Sequence, residues 1–152
     1  MKITRDFTAN ITIVHQNKVL LHFHKDLKRW LPVGGHIEKD ELPEEAAIRE
    51  AQEEAGLKIE LYDNDKASSL SDGRQSRLKM PMHIFLEDIY EDHQHIDFIY
   101  YAKANTFKLN PAEGESAELR WFTAEELDEL DAGQPIKYIA REALKLLGEK
   151  NK

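Results

Sequence analysis

Residues 43–56 read Pro-Glu-Glu-Ala-Ala-Ile-Arg-Glu-Ala-Gln-Glu-Glu-Ala-Gly, and no other segment constrains the fold as much. Pro43 suits the first turn of a helix and Gly56 stands just past its end, so a helix is predicted over Pro43 to Ala55. At helical spacing Glu50, Glu53 and Glu54 span an arc of about 100°. Ala47, Ile48, Ala51 and Ala55 fill the neighbouring arc, which calls for a sheet to dock on. Three carboxylates pointing one way repel one another unless a cation neutralises them. Clustered hard oxygen ligands suit Mg²⁺ or Mn²⁺. The acidic stripe is therefore expected beside the buried face, at the edge of a cleft. A solvated acidic surface is the competing reading, because Glu44 and Glu45 add to the same charge.

The segments around this helix read mostly as strands. Phe7 to His15 and Lys18 to His24 form a hairpin about Gln16-Asn17, with Val19, Leu21 and Phe23 alternating. Leu31 to Ile37 is a short strand broken by Gly34-Gly35. Further strands are predicted near His83 to Tyr90, Ile96 to Ala104 and Ala117 to Phe122. Thr123 caps a helix over Ala124 to Leu130, with Glu126 at the capping-box spacing. A last helix runs from about Pro135 to Leu147, with Ile136, Ile139, Ala140, Leu144 and Leu147 on one face. Asp63 to Met80, which holds Ser68, Ser69, Ser71, Asp72 and Gly73, reads as a long loop. The order predicts an α/β fold: a mixed β-sheet sandwiched by helices, with the acidic helix packed beside it.

The chain has 152 residues, the size of one domain spanning 1–152. It has no cysteine, which excludes disulfides, thiolate metal sites and cysteine nucleophiles. A net charge of -8 argues against coating nucleic acid, although metal ions can bridge an acidic protein to phosphates. The N-terminal residues lack the apolar run of a signal peptide, and no stretch approaches the ~20 apolar residues of a membrane span. A cytoplasmic protein is the expectation.

The spacing around the helix is more specific than its charge. From Gly35, five residues lead to Glu41 and seven more to Arg49, followed by Glu50-Ala-Gln-Glu53-Glu54-Ala-Gly56-Leu57. Residues 35–57 thus resemble the Nudix box of the Nudix (MutT-like) hydrolases, with every position filled. Trp30-Leu-Pro-Val-Gly-Gly and Arg120-Trp-Phe-Thr-Ala-Glu-Glu-Leu127 resemble further segments of that family. Leu42 departs from it, standing where a capping Thr or Ser is frequent, at a cost of ~1 kcal/mol of helix stability.

The resemblance implies an α/β/α sandwich and metal-dependent attack of water on a nucleoside diphosphate linked to another group. Divalent ions would sit between the acidic cleft and the anionic substrate. Mg²⁺ is the implied cofactor, with Mn²⁺ an alternative. Glu50 and Glu54 are the implied direct ligands, with Glu53 as ligand or base. Gly35 would offer its backbone carbonyl. Arg49 would orient the acids through a bidentate pair to Glu41 or to one of the box carboxylates. A helping acid outside the box is sought among Glu87, Asp97, Glu115 and Glu118, with Glu115 and Glu118 preferred.

The remaining candidates divide between site and packing. His22 and His24 share a strand face, and with His36 they could approach a metal, although cross-strand packing or a substrate hydrogen bond is the favoured reading. His93 and His95 lack a clear partner set. Trp30, beside the glycines, is a candidate to stack on a base, whereas Tyr100, Tyr101 and Trp121 read as core. Ser68 to Ser71 show no nucleophile-elbow pattern. A proline 15 positions past the box resembles ADP-ribose hydrolases, and a tyrosine slightly further resembles dinucleoside polyphosphate hydrolases. Position 72 here is Asp, and positions 73–75 are Gly, Arg and Gln. The implied substrate is therefore a nucleoside triphosphate or a nucleotide sugar. A nucleotide sensor that keeps the fold without turnover is the alternative, disfavoured by the intact glutamates. Monomer and homodimer both remain open.

Overall fold

A computed structural model describes residues 2–63, 70–115 and 118–149. Elements follow in the order β1 (Thr4–His15), β2 (Lys18–His24), β3 (Arg29–Leu31), β4 (Val33–His36), α1 (Pro43–Ala55), β5 (Ile59–Leu61), β6 (His83–Tyr90), β7 (His93–Ala104), β8 (Glu118–Phe122), α2 (Ala124–Asp128) and α3 (Gln134–Leu147). The strands form one mixed sheet. Long β1 and β7 run parallel at its centre, paired from Thr4↔His93 to Val14↔Lys103, and the other pairings are antiparallel. The opposite edge of β1 is divided, pairing β2 through Ile13–His15 and β4 through Thr8–Ile11.

The predicted hairpin forms as read. The single strand expected over Leu31 to Ile37 is instead two strands, and the break falls at Pro32 rather than at the glycines. Pro32 has no N–H to contribute to a ladder, and the chain changes partner there: β3 pairs β2, whereas β4 pairs β1. Three-residue β5 carried too short a pattern to read. It pairs the far end of β7. Of the expected loop over 63–80, residues 64–69, with Ser68 and Ser69, lie outside the described residues, as does Ala117.

Helices cover both sheet faces. On one, Ala46, Ala47, Ala51 and Ala55 of α1 pack against Ala9, Ile11, Ile13, Val33, Tyr100 and Ala102. Alanines let the helix axis approach the sheet closely. On the other, Ile139, Ala143 and Leu147 of α3 cover Val14, Ile99 and Tyr101. Each fully buried Ile or Leu here contributes roughly 1.5–3 kcal/mol of transfer free energy. Val19, Leu21, Trp30, Phe122, Leu127 and Ala140 close the end near α2. Among the described residues no helix is long and apolar enough to cross a membrane.

Candidate active site

The helix carrying the acids differs from its sequence reading in one consequential way. Ile48 is exposed, while Ala46 and Glu50 are buried. Projected at 100° per residue, the buried arc runs from Ala46 through Glu50, Glu54, Ala47 and Ala51 to Ala55. Glu50 and Glu54 therefore lie inside the docking face rather than beside it. The Glu50 carboxylate fits there because Gly35 puts no side chain opposite it. A Cβ on Gly35 would collide with Glu50 Oε1, and one on Gly34 would collide with Asn10 Oδ1 and Ala9 O. The Gly34 N–H donates to Glu54 Oε2 at 3.2 Å.

Arg49 gathers the rest of the cluster. Its Nε and Nη2 donate to the two oxygens of Glu41 at 2.8 and 3.0 Å. Nη1 donates to Glu50 Oε1 at 2.9 Å and Glu53 Oε2 at 3.2 Å, and Nη2 also reaches the His36 carbonyl at 3.0 Å. Glu41 is held in turn by the Glu38 N–H at 3.0 Å, a contact that no sequence pattern announced. The planar guanidinium suits this fork of contacts. It holds the Glu41 carboxyl below the usual range, and Glu41 in turn raises Arg49.

Both ends of α1 support this arrangement. Leu42 supplies no capping side chain, but Glu45 Oε1 accepts from the Leu42 N–H at 2.9 Å. Gly56 ends the helix at φ 68°, where a Cβ is disfavoured. The loop before β8 then satisfies the free carbonyls: the Asn110 N–H donates to Ala55 O and the Ala112 N–H to Glu53 O, both at 2.8 Å. That docking brings Glu115 close enough for its charge to act on Glu54.

The electrostatics reflect crowding. Burial raises the Glu50 carboxyl, opposed by Arg49. Burial pushes Glu54 up to about 8, opposed by the Gly34 N–H and reinforced by the charges of Glu50 and Glu115. Glu50 and Glu54 act on each other directly, so one proton shared there relieves their repulsion. A divalent cation relieves the same repulsion and returns both to carboxylates. The donors are all oxygen, as Mg²⁺ or Mn²⁺ prefers, and glycine leaves space opposite them. The residues present fit such an ion.

Of the residues singled out in the sequence, Gly35, Glu41, Arg49, Glu50, Glu53 and Glu54 come together, and Glu115 joins them. Glu53 stays half-exposed. Glu118 lies on β8 opposite Phe23, on the strand face of Phe122. Trp30 is 9% exposed in a core cluster, its ring against Phe23, Phe122 and Arg120. This is a packing role and leaves no open ring face for a base. His22 and His24 neighbour each other, and burial holds His22 below the ordinary imidazole range. His36 does not join them. It pairs with Asp6 across the sheet. Glu87 and Asp97 hydrogen-bond to each other, away from the box, and burial pushes Glu87 up to about 7.

Comparison with known proteins agrees with this construction. The NUDIX domain family model matches residues 4–143. A hydrolase of the NUDIX family from Clostridium perfringens is 45% identical, with a TM-score of 0.87 over 95% of this chain and 99% of that one. A Caenorhabditis elegans Ap4A hydrolase is 16% identical, with a TM-score of 0.69 over 93% and 97% of the two chains. A MutT NUDIX hydrolase from Burkholderia pseudomallei is 22% identical, with a TM-score of 0.61 over 95% and 98%. The last two likenesses are of fold alone.

Proposed function

The chain belongs to the Nudix hydrolase family, whose members act on nucleoside diphosphates linked to another moiety, and on that premise we propose a divalent-metal-dependent pyrophosphohydrolase of a nucleoside triphosphate or a nucleotide sugar. The observation that carries this reading is the cluster itself: Glu50 buried opposite Gly35, half-buried Glu54 held by the Gly34 N–H, and Arg49 bonded to Glu41, Glu50 and Glu53. Glu50, Glu54 and the Gly35 carbonyl would hold Mg²⁺ or Mn²⁺, with Glu115 close by. The ion supplies positive charge to the phosphate oxygens and acidifies a water.

The chain's own residues do the rest. Arg49 fixes the carboxylates, so that little reorganisation is needed when substrate arrives. Glu53, the most accessible of the three box acids, is assigned removal of the proton from the attacking water. The oxygen–phosphorus bond forms as the anhydride bond breaks, and the displaced phosphate or pyrophosphate carries off the electron pair. Asp72 and residues 73–75, which lack the proline and tyrosine of the ADP-ribose and dinucleoside polyphosphate classes, support the substrate assignment.

A chromatographic screen for release of phosphate, pyrophosphate, nucleotides and sugar phosphates tests it, with Mg²⁺ or Mn²⁺ and a panel of nucleoside triphosphates, oxidised dGTP, nucleotide sugars, ADP-ribose and dinucleoside polyphosphates. Metal-dependent release from the first three is the expected outcome. Release only from the last two would overturn the substrate assignment. Silence across the panel from folded protein would favour the sensor.

A further inference from the structure

The sheet face turned away from α1 carries a second concentration of ionisable side chains. His93, His95 and Asp97 alternate along β7 on the same side as Ile99 and Tyr101, which pack under α3. Asp6 and Thr8 of β1 stand opposite His95 and Asp97, and His36 of β4 stands opposite Thr8. Residues opposite one another share a face. Strand pairing thus brings together side chains from three strands.

The local geometry is that of a ligand set with a supporting layer. His36 Nε2 lies 3.1 Å from Asp6 Oδ2. The His36 and His95 rings meet edge to face at 4.9 Å. One ligand atom from each of Asp6, His36 and His95 lies within 4.8 Å of the others. Donors about 2.0–2.1 Å from a tetrahedral ion stand about 3.3 Å apart, so the closest pair already has the required separation.

Behind them, buried His93 places Nε2 3.2 Å from Asp6 Oδ2 and Nδ1 2.8 Å from Thr4 Oγ1. A carboxylate can only accept, so the contact at Asp6 is an Nε2–H donating to it and fixing it. Outer hydrogen bonds of this kind orient metal ligands. On the other side Asp97, 5% exposed, accepts from Thr8. Glu87, His95 and Asp97 also lie within reach of one another.

We propose that Asp6, His36 and His95 form a second metal site, separate from the acidic box, which binds a borderline divalent ion of the zinc class with one coordination position left open. Two imidazole nitrogens and one carboxylate select Zn²⁺, Co²⁺ or Ni²⁺ over Mg²⁺. Three protein ligands leave a fourth position for water or a substrate oxygen. β4 carries both sites, with Gly35 facing α1 and His36 facing the opposite side.

The test is a Zn²⁺ titration by calorimetry on the full chain in excess Mg²⁺, with Co²⁺ absorption as the ligand-field readout. The expected result is one Zn²⁺ bound, with Co²⁺ bands of an imidazole-ligated ion. His36→Gln and His95→Ala should each weaken binding by at least about tenfold, while Glu54→Gln leaves it unchanged. His36 is 59% exposed at its side chain, so His36→Gln keeps the test valid even if His95→Ala fails to fold. No Zn²⁺ binding by the wild type, or binding that survives both histidine substitutions, overturns the site. So does binding lost in Glu54→Gln, or in Glu87→Gln with His36→Gln unaffected.

Discussion

The two faces of β4 manage charge in opposite ways. Toward α1, Glu41, Glu50 and Glu53 pair with one guanidinium and Glu54 is held by the Gly34 N–H, an excess of negative charge that one Arg cannot cancel. On the other face Asp6 meets imidazoles from His36 and His93. The first cluster is built on one helix and answers to a hard cation or a proton. The second is assembled across three strands from nitrogen and oxygen donors. The difference teaches that a deficit of positive charge, more than the number of acids, separates the two clusters.

Removing charge from the α1 side breaks the comparison most severely. Glu53→Gln with Glu54→Gln should lower metal-dependent turnover by about a hundredfold or more, since charge-stabilising groups at reacting centres are each worth about that much. The fold should survive, because the substitutions remove repulsion without changing volume. Steady-state rates on whichever substrate the screen identifies, beside a thermal melt, measure both. A double variant as active as the wild type would mean that the box is not the site.

A smaller effect separates the two faces by ion type. Mg²⁺ at a hundredfold excess over its dissociation constant should stabilise the native state by about 2.7 kcal/mol. For a chain of this size that raises Tm by about 5–10 °C. Glu54→Gln should abolish the rise, while His36→Gln leaves it intact. A melting curve unmoved by Mg²⁺ in the wild type would count against a preformed box site.

How far each region could be read in advance follows from sequence distance. The box acids lie within one helix, so their spacing and the helix boundaries were legible from Pro43, Gly56 and the intervals between Gly35, Glu41 and Arg49. The burial of Glu50 was not legible, because it depends on Gly35 leaving no side chain opposite it. Ile48 was placed in the docking arc because it is apolar. The arc is set by where the sheet lies, and alanine proved the better fit. Glu115 was preferred on position alone, and its proximity to Glu54 comes from the docking of Asn110 and Ala112 on the end of α1. Trp30 was misread because adjacency to glycines along the chain says nothing about the third cluster that receives it. Asp6 and His36 are 30 residues apart and meet only through β1–β4 pairing. A sequence cannot reveal such a meeting until register is known.

The smallest effect, and the one that tests both faces together, is the pH dependence of stability without metal. Glu54 is raised to about 8 and Glu87 to about 7, whereas both titrate near 4.5 when unfolded. Between those values the native state binds more protons than the unfolded state, so stability falls as pH rises. In chelator, the melting temperature should therefore decline from about pH 5 to about pH 8. Glu54→Gln should remove its share of the decline across that whole range, including all of it above about pH 7, and Glu87→Gln its share below about pH 7. Added Mg²⁺ should flatten only the Glu54 part, because the cation replaces the proton at the box. If Mg²⁺ flattened both parts equally, the two faces would share one ion-dependent network, and the contrast drawn across β4 would fail.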